Sequence, residues 1–145
     1  METTINIGKR REAIRILKDF KINHYENRPI EITNIHLENI NNIFGRKIIF
    51  RNNCFIESQT LWELMQPLGN KKTHNSHNLS PTEIFEALFN VKKPLDVVES
   101  YFGRYVILTI AIEQNGHKLG VVVEPETYHT VLNKTVNKII TIHII

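Results

Sequence analysis

Two imidazoles and a hydroxyl set out the chemistry this chain could do. Residues 137–144 read NKIITIHI. Strict alternation puts Ile139, Thr141 and His143 on one face of a strand and Ile140, Ile142 and Ile144 on the other. A threonine and a histidine two residues apart on one sheet face can hold an oxyanion and move a proton. His77 supplies the second imidazole, just before a strongly signalled helix start. Two histidines suit metal-free acid–base chemistry near neutral pH. RNA fits that chemistry because its 2′-hydroxyl is an internal nucleophile. One group takes the 2′-hydroxyl proton, another protonates the 5′-oxygen, and cations or hydroxyls balance the charge on phosphorus. In this scheme His77 and His143 share the base and acid work. Thr141, Lys138 and Arg104 hold the phosphate, with Lys134 in the same sheet segment. Taken singly, each is an ordinary structural residue. The assignment depends on whether the fold brings His77 across to His143.

Other chemistries find less support. His74 and His77 are spaced His-x-x-His, but no Cys pair or acidic partner stands nearby at ligand spacing, and there is no HExxH. No metal site is expected. No cofactor is expected either, since GxxxxGK(S/T) and GxGxxG are absent and the six glycines are scattered. Cys54 lies among Asn53, Phe55 and Ile56 with no adjacent base, which predicts a buried, inert thiol. There is no GxSxG elbow.

These side chains need a scaffold. Residues 9–20 carry Ala13, Ile16, Leu17 and Phe20 at the spacing of one apolar helix face, with Arg11, Arg15 and Lys18 stacked on another. Residues 29–33 suggest a short strand. Asn34 is placed to cap a second helix to about Phe44, and Gly45 to end it in a left-handed conformation. Residues 47–50 read as a strand, and 60–68 as a helix packing Leu61, Trp62, Leu64 and Met65. The run 69–78, GNKKTHNSHN, is loop. Ser80-Pro81-Thr82-Glu83 is a capping box with proline at the first helical position. It starts a helix whose buried stripe is Ile84, Phe85, Leu88 and Phe89. Residues 95–101 suggest a further short helix or turn. Then come strands at 104–112 and 117–124, joined by a hairpin at Asn115-Gly116 and ended by Pro125. Residues 128–132 fit either a strand or a helical turn, and 137–144 form the last strand. Helices first and a mostly antiparallel sheet after them give an α+β fold.

At 145 residues the chain fits a single domain, a helical N-terminal part over 1–60 and a helix plus sheet over 77–145. That length buries roughly 70% of its unfolded surface, so no disulfide or metal is required for folding. The single cysteine suits a reducing compartment. No apolar run reaches about 18 residues, so no membrane partner is expected, and the first residues lack a signal-peptide core. The sequence stops inside an apolar run, as a domain of a larger protein would. The expected location is the cytoplasm, or a target cell into which a larger protein delivers the domain. The net charge of +3 is unevenly spread. Residues 1–51 hold ten Lys/Arg against six Asp/Glu, a basic end that could meet a polyanion.

The span 77–143 resembles the phage-encoded nuclease-like domains of the barnase–EndoU–colicin–RelE group, above all those attached to phage MuF head-morphogenesis proteins. The likeness rests on His77-Asn78-Leu79, a helix running into a Pro-containing turn, EIFEALFNVKKPLDVVES, and two strands about a polar-Gly turn, RYVILTIAIEQNGHKLGVVVEP. It ends with the Asn-x-Ile-x-Thr-x-His strand of Asn137 to His143. It covers a little under half of the chain. It implies helices on an antiparallel sheet and a metal-independent ribonuclease-like activity, often used as a toxin. RNA is then the partner, with an immunity or antitoxin protein as a second one. The positions it carries over are His77, Thr141 and His143, with Asn137 in support. Such domains often carry Tyr where this chain has His143. Two other readings stand beside it: a non-catalytic nucleic-acid-binding or phage structural module, and an ADP-ribosyl transferase. For the last, only Glu124-Pro125-Glu126 has the right spacing, which a proline-centred turn also explains.

Overall fold

The computed structural model describes residues 4–32, 36–67, 77–100, 103–112 and 116–145. The fold is α+β, with four helices and a seven-stranded mixed sheet among the described residues. The elements run β1 (Thr4–Ile5), α1 (Arg10–Ile22), β2 (Pro29–Ile32), α2 (Leu37–Phe44), β3 (Cys54–Glu57), α3 (Ser58–Leu64), α4 (Pro81–Asn90), β4 (Asp96–Ser100), β5 (Tyr105–Ile112), β6 (His117–His129) and β7 (Lys134–Ile144). The strand order is β1-β2-β3-β7-β6-β5-β4. The β1/β2 and β3/β7 pairs are parallel and the others antiparallel.

One face of the sheet carries the core. Ile30, Ile32, Cys54, Ile56, Val106, Leu108, Ile110, Leu119, Val121, Val123, Ile139 and Ile142 are buried in one cluster with α1, α3 and α4 residues such as Phe20, Leu61 and Leu88. The apolar stripe Ala13, Ile16, Leu17 and Phe20 faces inward as its spacing predicts, and Arg11, Arg15 and Lys18 are exposed. The thiol of Cys54 is buried, and burial pushes its pKa up to about 12, so it is protonated and inert.

The N-terminal part is more than helical. It contributes β1, β2 and β3, and β3 inserts beside β7. Residues 47–50 are not a strand, because the Asn41 side chain satisfies their backbone instead. Its Oδ1 accepts from the amides of Ile48 and Ile49 at 2.8 and 2.9 Å, and its Nδ2 donates to the Ile49 carbonyl at 2.8 Å. The expected cap Asn34 lies outside the described residues. The first amide of α2, that of Leu37, is met by Asn52 Oδ1 at 3.1 Å, and Gly45 closes the helix at φ 94°. Residues 96–100 form strand β4 rather than a helix, with Val97 turned inward against β5. Pro125 does not end β6. It sits where the ladder slips between Glu124 and Thr127, with Glu126 at φ 56°, so its missing N–H costs no ladder bond. The hairpin residues Asn115 and the loop residues 69–76 lie outside the described residues.

Asn137 joins the two halves of the chain. It is fully buried, and its Nδ2 donates to the carbonyls of Arg51 at 2.6 Å and Asn53 at 3.0 Å, locking the approach to β3 onto β7. Asn137→Ala removes both side-chain bonds; the Asn53 carbonyl keeps the Asn137 amide at 3.2 Å, while the Arg51 carbonyl loses its clamp. The substitution should cost about 2–4 kcal/mol, measured by urea unfolding. A cost near zero would show that the clamp does not hold β3.

Candidate active site

The last strand does not alternate strictly. Val122 pairs with Thr141 and Val123 with Ile139, so Ile140 is an extra residue, a bulge in β7. The bulge lets Ile139 and Ile142 both enter the core. It also separates Ile139 from Thr141, against simple alternation. Lys138, Thr141 and His143 pair with Glu124, Val122 and Gly120, which alternate along β6 with the buried Leu119, Val121 and Val123. All three therefore lie on the face of the sheet opposite the helices.

His143 is partly buried and lies across its cross-strand partner. A Cβ on Gly120 would stand 3.1 Å from both Cε1 and Nε2 of His143, so the glycine is what leaves room for the ring. An isolated glycine inside a strand pattern signals such a close approach, and this signal was available at Gly120.

His77 reaches the same place from the edge of β7. Strand β3 pairs only with Asn137 to Ile139 and then turns into α3. The Ile145 amide bonds the Lys118 carbonyl, so by alternation the Ile142 carbonyl points away from β6, toward the uncovered side. His77 Nδ1 donates to that carbonyl at 2.5 Å. The local chain fixes the ring's approach. The amides of Asn78 and Leu79 donate to the carbonyls of Gln66 and Leu64, each at 2.9 Å. Asn78 turns the chain at φ 54°. Leu79 is buried, and Ser80 and Glu83 complete the capping box of α4.

The ring centres of His77 and His143 are 6.5 Å apart, inclined at 73°. That is too far for a direct hydrogen bond. It is the span an intervening oxygen-bearing group fills with hydrogen bonds of about 2.6–3.2 Å on each side. With Nδ1–H committed to a carbonyl, Nε2 is the nitrogen of His77 left to exchange a proton. Burial, and next the charge of His77, hold the His143 pKa below its ordinary 6.5. His143 therefore gives up its proton more readily than an ordinary imidazole. Thr141 Oγ1 is buried, with no hydrogen-bond partner among the described residues.

The remaining predicted site residues lie elsewhere. Lys138 is level with Glu124, four residues along β6 from Gly120, or about 13 Å from the His143 row. Arg104 is at the same end, bonded to Glu124 at 3.4 Å. Asn137 is enclosed in the core and presents nothing to a ligand. Among the described residues, Lys118 is a cation exposed on the same face, two residues from Gly120. His74 lies outside the described residues.

The coupling of the histidines is measurable by imidazole NMR. In the wild type His143 should titrate below 6.5. His77→Gln should raise that midpoint by removing the neighbouring charge, yet leave it under 6.5 because burial is the larger cause. A folded-state pKa below the unfolded value stabilises the fold above pH 6.5, and that stability is lost as pH falls through the folded value. An unchanged midpoint in His77→Gln would mean the rings do not sense each other.

The chain matches no family model, no curated protein and no solved structure, so what the site does has to be argued from its own geometry.

Proposed function

We propose that this protein is a metal-independent ribonuclease of the toxin or effector kind, with His77 and His143 as its acid–base pair. One observation carries the proposal: two histidines 66 positions apart in sequence (77 and 143) meet with ring centres 6.5 Å apart. His143, whose proton affinity is lowered, is the base for the 2′-hydroxyl. The freed 2′-oxygen attacks phosphorus, the bond to the 5′-oxygen breaks, and His77 Nε2 supplies the proton that the leaving oxygen takes. Among the described residues, Lys118 and the Thr141 hydroxyl are available for the charge that builds on the phosphoryl oxygens. The likeness to phage nuclease-like domains of the barnase–EndoU–colicin–RelE group supports the same chemistry. Such an enzyme acts in a cytoplasm, its own or that of a cell into which it is delivered. An immunity protein would need to cover the face bearing His143.

A second reading is a non-catalytic RNA-binding module. It is favoured by the exposed row Arg11, Arg15 and Lys18, which has no acidic partner among the described residues.

Cleavage of total RNA in the presence of EDTA separates the two. His77→Ala and His143→Ala should each lower the rate by about 10²–10⁴-fold, while Arg104→Ala should leave it largely unchanged. Equal cleavage by the wild type and both histidine variants would remove the assignment. Salt-sensitive binding without products would favour the module. Gly120→Ala forces the His143 ring to give by a few tenths of an ångström. It should lower kcat by about tenfold with KM little altered; an unchanged kcat would show that the seat of His143 does not matter.

A further inference from the structure

A third histidine marks a different place. His129, near the end of β6, is almost wholly buried, and its Nε2 bonds Glu57 Oε1 at 2.7 Å, although the two are 72 residues apart. Its Nδ1 accepts the amide of Leu132 at 3.3 Å. Both ring nitrogens are therefore occupied, and His129 has none left for a substrate. Its role is to pin the end of the β6–β7 hairpin against the C-terminal end of β3. Arg51 repeats the attachment on the same hairpin, holding Glu126 at 3.0 Å.

Between the β6–β7 hairpin end and the paired ends of β2 and β3 lies a cavity of about 320 Å³, lined among others by Arg28, Glu57, Tyr128, His129, Thr130 and Lys138. Among the described residues its only lining acid is Glu57, already engaged by His129. Its two lining cations, Arg28 and Lys138, have no acidic partner among the described residues. Arg28 stands on a fixed backbone. Its amide donates to Ser58 Oγ at 2.9 Å, and its carbonyl accepts the Ser58 amide at 2.8 Å, with Ser58 buried. Lys138 stands on β7, on the face that carries Thr141 and His143. By the register of β6 it lies about 7 Å from the Thr141 row and 13 Å from the His143 row. Two unpaired cations, a hydroxyl and an exposed tyrosine ring around a small cavity suit a phosphate attached to a sugar or base.

We propose that this cavity is a phosphate-binding subsite in which Arg28 and Lys138 hold a nucleotide phosphate. Its location beside Thr141 gives it a use in the ribonuclease reading, on which the choice of nucleotide ligands rests. One RNA strand lying along β7 would place its reacting phosphate between His77 and His143 and a neighbouring phosphate here. The same chemistry would also take a free mononucleotide.

The test is binding by the full chain, followed by calorimetry. The two probes are a nucleoside 5′-monophosphate and a short single-stranded 2′-deoxy oligonucleotide, which lacks the nucleophile and cannot be cleaved. Arg28→Gln and Lys138→Met should each weaken binding by about tenfold, with circular dichroism and melting confirming that both fold. Binding of both probes points to a site that takes free nucleotides. Binding of the oligonucleotide alone points to a strand subsite. Binding of neither probe, or binding indifferent to both cation variants, overturns the proposal. If Arg28 and Lys138 govern binding while His77→Ala and the wild type cleave RNA equally, the subsite stands and the ribonuclease reading falls. If cleavage depends on both histidines and binding ignores both cations, the reverse holds.

Discussion

The short pairing between β3 and β7 is the constraint from which the site follows. A strand inside a sheet spends its amides and carbonyls on two neighbours. Here β3 accompanies β7 only from Asn137 to Ile139 before turning into α3. From Ile140 onward β7 has one neighbour, and its other edge must be satisfied some other way. The Ile142 carbonyl on that edge is met by His77 Nδ1. One hydrogen bond thus quiets a strand edge and fixes an imidazole. Had β3 continued in register past Ile142, it would have occupied the carbonyl and excluded the ring.

The bulge at Ile140 acts together with that edge. A sheet covered by helices on one side needs regular burial along each strand. In β7 the core takes Ile139 and Ile142, which an unbroken strand could not place on one face. The extra residue reconciles the two and sends Thr141 and His143 to the uncovered side. Gly120 then gives His143 a seat that any side chain would fill.

The sequence carried the fold class and the strongest local signals. The capping box at Ser80, the inward stripe of α1 and the closing glycine of α2 follow from side-chain chemistry within a few residues, and the structure repeats them. The failures share a cause in long-range contacts. Residues 47–50 look like a strand until Asn41 claims their backbone. Pro125 looks like a terminator until the ladder slips around it. Asn137 looks like a polar site residue, but two carbonyls more than 80 residues away in sequence make it a clamp. The meeting of His77 with His143 could be posed as a question from the sequence. It could not be answered there, because it depends on where β3 leaves β7.

Three of the histidines in or beside this sheet, His77, His129 and His143, separate by what their ring nitrogens do. His129 has both nitrogens taken, so it can only hold structure. His77 has one taken and one presented, the arrangement that fixes a tautomer and leaves a group able to exchange a proton. His143 has no hydrogen-bond partner among the described residues, and packing over Gly120 holds it instead. Its ring can therefore change protonation state without breaking a structural bond. An acid–base pair needs one member that is oriented and one that is free to charge and discharge at little structural cost. Sequence alone singles out His77 and His143 by position, but it does not show what any of the three rings bonds. Their hydrogen-bond partners distinguish them, and those partners are an amide, a carbonyl and a carboxylate that no local pattern reveals.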